Sequence, residues 1–174
     1  MSPHVVAVSR SARHSFTKSA VDEVQLVEGH GVEGDTHAGV YDQHRSHARL
    51  DPRRPNLRQV HLLPGELLDE LEVPAGALGE NVTTCGVDLL ALSAGSRLHL
   101  GDDAVVELTG LRNPCVQIDG YRDGLLKRVV GRDAEGTTVL RAGVMSVVLR
   151  SGTVRVGDPI RVVLPEVHIP MQRV

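Results

Sequence analysis

Apolar positions in this chain fall mostly in short alternating runs separated by glycine. That pattern predicts β-strands rather than long helices. Residues 4–9 (HVVAVS) and 21–27 (VDEVQLV) read as strands, joined by a polar segment holding Ser15, Thr17 and Lys18. Four glycines in the eleven residues 29–39 then mark tight backbone geometry. Residues 37–55 are polar and read as a long surface loop, a length that usually serves a site or is disordered. A strand is predicted at 58–63 (RQVHLL). A short helix follows over 64–71, with Pro64 at its first turn and Leu67, Leu68 and Leu71 on one face. A turn-rich link over 74–79 leads into a strand at 81–84.

Two later stretches echo one another. Residues 95–108 (GSRLHLGDDAVVEL) and 152–164 (GTVRVGDPIRVVL) each read as a hairpin bent at Gly-Asp. Between them lie a predicted helix over 121–130, ended by Gly131, and strand character over 137–149 around Arg141-Ala142-Gly143. Residues 165–174 carry two prolines and no pattern, and read as a loosely attached tail. Many short strands with few helices predict a mainly β, α+β protein built as a closed or nearly closed β-barrel. The 174 residues suit a single domain over 1–164 plus the tail at 165–174.

Composition narrows the function classes. With no Trp, one Phe and two Tyr, the core must be aliphatic, and Phe16, Tyr41 and Tyr121 form no stacking cluster in sequence. A net charge of −3 with interleaved signs does not describe a nucleic-acid surface. No apolar run reaches the length of a membrane span and the N-terminus lacks a signal-peptide core, so the expectation is a cytoplasmic protein with reduced thiols.

Candidate chemistry centres on Arg112-Asn113-Pro114-Cys115. If residues 116–119 turn helical, Pro114 would occupy the first turn, and the thiol would lie near free N–H groups and the positive helix end. That dipole and Arg112 would favour the thiolate. A thiolate there can act as nucleophile, sulfur carrier or soft metal ligand, and the alternative is a buried cysteine serving as a small hydrophobe. Cys85, at a strand end, reads as packing. His37, His44 and His47 sit close in sequence and are weighed as a zinc-like site, although the strong metal spacings are absent.

In order along the chain come Gly34-Asp35-Thr36-His37-Ala38-Gly39, Arg58-Gln59-Val60 with Leu62, Leu63 and Glu66, Pro74, Gly79-Glu80-Asn81, and Gly86-Val87-Asp88. Gly95, Gly101-Asp102, Arg112-Asn113-Pro114-Cys115, Arg141-Ala142-Gly143 and Gly157-Asp158 complete the set. Together they cover about residues 5–163 and resemble the MOSC domain, the fold named for the C-terminal part of molybdenum cofactor sulfurases. The resemblance implies a β-barrel-like fold that binds the pyranopterin (molybdopterin) molybdenum cofactor. In amidoxime-reducing relatives, the cysteine matching Cys115 ligates molybdenum and the asparagine matching Asn81 helps hold the pterin. Those enzymes reduce N-hydroxylated compounds, including hydroxylated bases. Other members are thought to handle sulfur as a cysteine persulfide.

The residue chemistry is consistent with that implication. A dithiolene-held molybdenum accepts one further soft ligand, which Cys115 supplies. Asn81, beside Glu80 in the Gly79-Glu80-Asn81 piece, offers a donor and an acceptor to a pterin edge. Arg58, Arg112, Lys127, Arg128 and Arg141 form the cation pool for the cofactor phosphate. His37 is expected to orient the loop or donate a proton, against a structural turn role. Three functions remain side by side: a molybdenum-dependent reductase, a non-catalytic carrier of the cofactor or its sulfur, and a histidine-loop metal domain. The first implies a small-molecule substrate and an external electron donor. With no separate substrate or reductase module expected, the cofactor would be covered on fewer sides than in larger enzymes or by a second subunit, as in a homodimer.

Overall fold

The computed structural model describes residues 2–42 and 51–174. Its largest element is an eight-stranded sheet made of β1 (His4–Arg10), β2 (Ser19–Val21), β5 (Val60–Pro64), β6 (Val82–Cys85), β7 (Arg97–Leu100), β8 (Ala104–Leu111), β11 (Val144–Arg150) and β13 (Ile160–Val163). Their order across the sheet is β13-β7-β8-β11-β5-β6-β1-β2. Three further strands, β3 (Glu23–Val27), β4 (Gly31–Val32) and β12 (Gly152–Arg155), make a second sheet in the order β12-β3-β4. A small ladder joins β9 (Val130–Arg132) to β10 (Thr138–Leu140). The protein is thus mainly β with a few short helices, as the sequence pattern predicts.

Every pairing in the large sheet is antiparallel except β5 with β6. Parallel neighbours need a crossover, and the Gly65–Leu71 helix supplies it, burying Leu67, Leu68 and Leu71. Pro64 stands at its N-cap, so the missing proline N–H costs no helical bond. Register shifts in β1 and β11 bend the sheet. Among the described residues the ladder does not close into a ring, since β13 and β2 remain its edges. Its ends approach through an isolated His4–Pro159 bridge and the Ile160 N–H donated to the Pro3 carbonyl.

One aliphatic core lies between the two main sheets and includes Val5, Leu26, Leu62, Val106, Val144 and Val154. A second lies under the helices and includes Leu63, Leu71, Leu78, Ile118, Leu125 and Val129.

Four local expectations change. The 95–108 stretch does form a hairpin, β7 with β8, but its echo does not. β12 pairs with β3 and β13 with β7. The Gly157-Asp158 corner bonds to Val5 instead, with Gly157 N donating to Val5 O and Val5 N to Asp158 O, so the chain switches sheets there. The strand expected over 21–27 likewise divides at Asp22 between the two sheets. The helix expected over 121–130 is two short pieces, Gln117–Tyr121 and Leu125–Val129, separated at Gly124, whose φ of +78° breaks the helix before Gly131 is reached. The 165–174 segment is docked rather than loose, with Met171 buried and Arg173 bridged to Leu111.

Candidate functional site

Loops at the strand ends converge on a cleft of about 670 Å³. The link between β1 and β2 contributes His14, Phe16 and Lys18; the turn after β4 contributes His37. Asn56 and Arg58 precede β5, His61 lies on β5, and Asn81 precedes β6. The segment after β8 brings Arg112, Asn113, Cys115 and Gln117.

Asp35 ties the first part of this cleft together. Its carboxylate accepts from Lys18 Nζ at 2.9 Å, from the His37 backbone at 2.9 Å and ring Nδ1 at 3.2 Å, and from Asn81 Nδ2 and Ser11 N at 3.1 Å. Burial alone would raise this carboxyl, but the His37 and Lys18 interactions outweigh it and hold the group well below the usual carboxylate range. The pair is unequal, because at Lys18 burial outweighs the Asp35 attraction and lowers the ammonium's pKa. Lys18 and Asp35 side chains are each only 2% exposed, whereas that of His37 is 53% exposed and sits at the rim.

Asn81 is committed inside the protein. Its amide N–H groups donate to Ser9 O and Asp35 Oδ2, and its Oδ1 accepts the His61 N–H. Both amide protons that the sequence offered to a pterin edge are thus used inside the protein. Glu80 lies behind the cleft, fully buried, and accepts from the N–H groups of Gly76 and Leu78. Burial pushes its carboxyl up. Its role here is to hold the turn that presents Asn81. His61 is buried on β5, with Nε2 hydrogen-bonded to the Ala142 carbonyl at 2.8 Å. Burial, then the nearby Arg112 charge, holds its pKa well below the ordinary imidazole value, so the ring is neutral. Gly143 explains the Arg141-Ala142-Gly143 piece. At φ +90° a Cβ there would lie 2.3 Å from Leu62 O and 2.8 Å from His61 Nε2.

The second part of the cleft is differently made. Arg112 is 7% exposed, its guanidinium lies over the Phe16 ring at 5.6 Å, and its Nη1 has no hydrogen-bond partner. Burial depresses its pKa to about 10. Arg58 is also lowered by burial. Both arginines line the same cleft as Cys115, within electrostatic reach of its sulfur. The half-exposed thiol reaches Gln117 Oε1 at 3.5 Å. Pro114 does not occupy a first helical turn, because the short helix begins at Gln117 with Val116 as its N-cap. The two arginines, rather than a helix end, form the electropositive surroundings of the sulfur.

The structure therefore brings Cys115, His37, Asn81, Arg112 and Arg58 to one cleft. Lys127 is exposed on the Leu125–Val129 helix, and Arg141 is paired with Glu70; neither lines it. Arg128 donates to the Glu70 carbonyl. Cys85 lies beside Glu66, whose hydrogen bond pushes the thiol up, and it too is outside the cleft. His44 and His47 lie outside the described residues, among which no group of three or more His, Cys, Asp or Glu is placed to hold a metal. Sequence reasoning gave no role to Lys18, Phe16 or Asn56. The lone Phe inside a polar stretch was the available signal for Phe16. No signal marked Lys18, whose burial depends on a partner distant in sequence.

Comparison with known proteins now decides the family. The MOSC domain model matches residues 53–161, more than half of the chain. The chain belongs to the MOSC domain family. A solved YuaD protein from Bacillus subtilis is similar at 24% identity and TM-score 0.73, covering 93% of this MOSC chain and 96% of that one. YiiM from Geobacillus stearothermophilus is similar at 19% identity and TM-score 0.64, over 92% of this chain and 75% of that one. YiiM from Escherichia coli gives 21% identity and TM-score 0.62, over 98% and 73%. These likenesses establish the fold. No match was found among curated proteins. MOSC membership supports a molybdenum-cofactor-binding domain in general terms. No described helix is long and apolar enough to cross a membrane.

Proposed function

We propose that the cleft binds the pyranopterin molybdenum cofactor, with Cys115 as a ligand to the metal, and that the loaded protein reduces N-hydroxylated small molecules. The observation that carries the reading is Arg112, a buried cation with an orphaned Nη1 inside the cleft. A buried polar atom without a partner is costly, and an anionic ligand would satisfy it. Arg58 adds positive charge to the same cavity, and Cys115 adds a soft sulfur donor. The donor set thus fits an anionic, sulfur-ligated group.

When bound, the cofactor supplies the two-electron chemistry; cleaving an N–OH bond also consumes two protons and releases water. An external donor supplies the electrons. Arg112 and Arg58 hold and orient the anionic part of the cofactor. Neutral His61 and the Asn81 turn shape the floor. His37, fixed by Asp35 at the exposed rim, is positioned to hold a proton at its imidazole near the entering substrate. The bent main sheet, joined at His4–Pro159, is read as the family's nearly closed barrel. A second copy would be one way to cover the open mouth. The protein is read as cytoplasmic.

A second reading is a carrier of the cofactor, or of sulfur as a persulfide on Cys115. The half-exposed position of that thiol at the cleft edge favours it. Expression with molybdate, followed by metal and pterin analysis of the parent and Cys115→Ala, separates the possibilities. Stoichiometric molybdenum and pterin, with metal lost in the variant and N-hydroxy reduction by the parent, support the reductase. Cofactor without turnover leaves the carrier. A folded parent free of both metal and pterin contradicts the proposal.

A further inference from the structure

The strand that delivers Arg112 and Cys115 is held on its two sides by different parts of the chain. On one side, β11 pairs Val144 with Leu111, and Gly143 O accepts the Arg112 N–H. On the other, β7 accompanies β8 to Glu107, opposite Arg97, and backbone bonds of Gly95 and Ser96 carry the pairing to Leu108. Before Gly95 the chain leaves β8, and Ala94 N donates to Ile169 O. The place that β7 leaves is filled by residues 172–174. Leu111 N donates to Gln172 O at 2.8 Å, Val174 N donates to Leu111 O at 3.2 Å, and Arg173 bridges Leu111 in parallel.

Gly110 makes this approach possible. A Cβ there would lie 2.3 Å from Gln172 O and 2.7 Å from Val174 Cγ1, so any side chain would expel the segment. The segment has its own anchors upstream. Met171 is buried in the main core, Ile169 O accepts the Ala94 N–H, and Ile169 N donates to Ser93 Oγ. These contacts lie beyond residue 161, where the family match stops.

We infer that residues 169–174 are a positioning strand for the cleft: by completing the ladder at Leu111, they fix the segment that carries Arg112 and Cys115. The inference shares its site with the proposed function but needs no bound cofactor. A ladder position bonded on both sides opens only when both partners release it, whereas a frayed edge opens locally. Losing the strand would therefore leave Arg112 and Cys115 hanging from the β11 side alone.

The test uses full-length protein made without molybdate and carrying Cys85→Ser, so that Cys115 is the single thiol. Its rate with a chromogenic aryl disulfide is compared with that of Gly110→Ala, of a chain lacking residues 169–174, and of the combination. We expect each single change to alter the Cys115 rate by at least about fivefold, the scale of a local opening. The combination should do no more than the deletion, because the methyl group added at position 110 then has nothing to strike. Rates equal to the parent in a cooperatively unfolding deletion variant overturn the inference. If the variants do not fold, hydrogen exchange of the unaltered chain decides. Common exchange of the Leu111, Arg112 and Val174 amides supports the strand's role, and independent opening of Val174 overturns it. Because no cofactor takes part, failure here leaves the metal and pterin result standing, and the reverse also holds.

Discussion

The two parts of the cleft treat buried charge in opposite ways. Around Asp35, every charge has its partner inside the protein: Lys18, His37, Asn81 and Ser11 all donate to one carboxylate. Around Cys115, Arg112 is nearly as buried, yet it meets an aromatic face and keeps an unpartnered Nη1. A protein holding charge only for stability would pair both. The first arrangement is scaffold, complete without a ligand. The second stores an unmet electrostatic demand, which is how a binding site differs from a well-made interior.

The largest effect expected from that contrast is on the scaffold side. Asp35→Asn leaves the Lys18 ammonium buried without its counter-charge and should cost about 3–5 kcal/mol in denaturant unfolding. Adding Lys18→Met should restore much of the loss, because the pair is then removed whole. A cost below about 1 kcal/mol for Asp35→Asn would remove the distinction between the two parts.

A smaller effect concerns pH. His61 has a folded pKa below its unfolded value near 6.5, so below that pH the unfolded chain binds the extra proton first. Its stabilising contribution is complete above about pH 6.5 and falls with pH down to its folded value, by at most about 1.4 kcal/mol per unit. Unfolding measured from pH 8 to 5 should therefore slope in the parent and flatten in His61→Gln. Asp35 acts in the same direction at lower pH. Its contribution is present above about pH 4 and lost as pH falls further.

The smallest effects belong to cations outside the contrast. Lys127→Ala should leave both stability and pterin content unchanged. Arg141→Ala loses only the exposed pair with Glu70, about 0.5 kcal/mol, without loss of pterin. Loss of pterin in either variant would extend the anionic site onto the helical face.

What the sequence disclosed, and what it hid, follows from the same physics. Strand positions were readable because alternation is local, and Arg58, Arg112, Cys115, His37 and Asn81 were readable as members of family motifs. Arg141 is also in a motif, but Gly143 is what that motif requires for the close approach to His61; the arginine beside it faces Glu70. The false hairpin over 152–164 arose because a Gly-Asp turn specifies a bend and not the partner of the strands on either side. Lys18 was hidden for a related reason. Whether a lysine is buried depends on a carboxylate seventeen positions away being folded onto it. The docked C-terminal segment left no pattern, because a single buried methionine, one close-approach glycine and a few hydrogen bonds hold it.

The most direct test of the contrast is Arg112→Met, read in one preparation for both unfolding free energy and pterin content after growth with molybdate. Removing an unpaired buried cation should leave the ligand-free protein as stable as the parent, or about 1 kcal/mol more stable, while abolishing bound pterin. A variant destabilised like Asp35→Asn, or one that keeps its pterin, would contradict the account, because Arg112 would then be scaffold rather than ligand site.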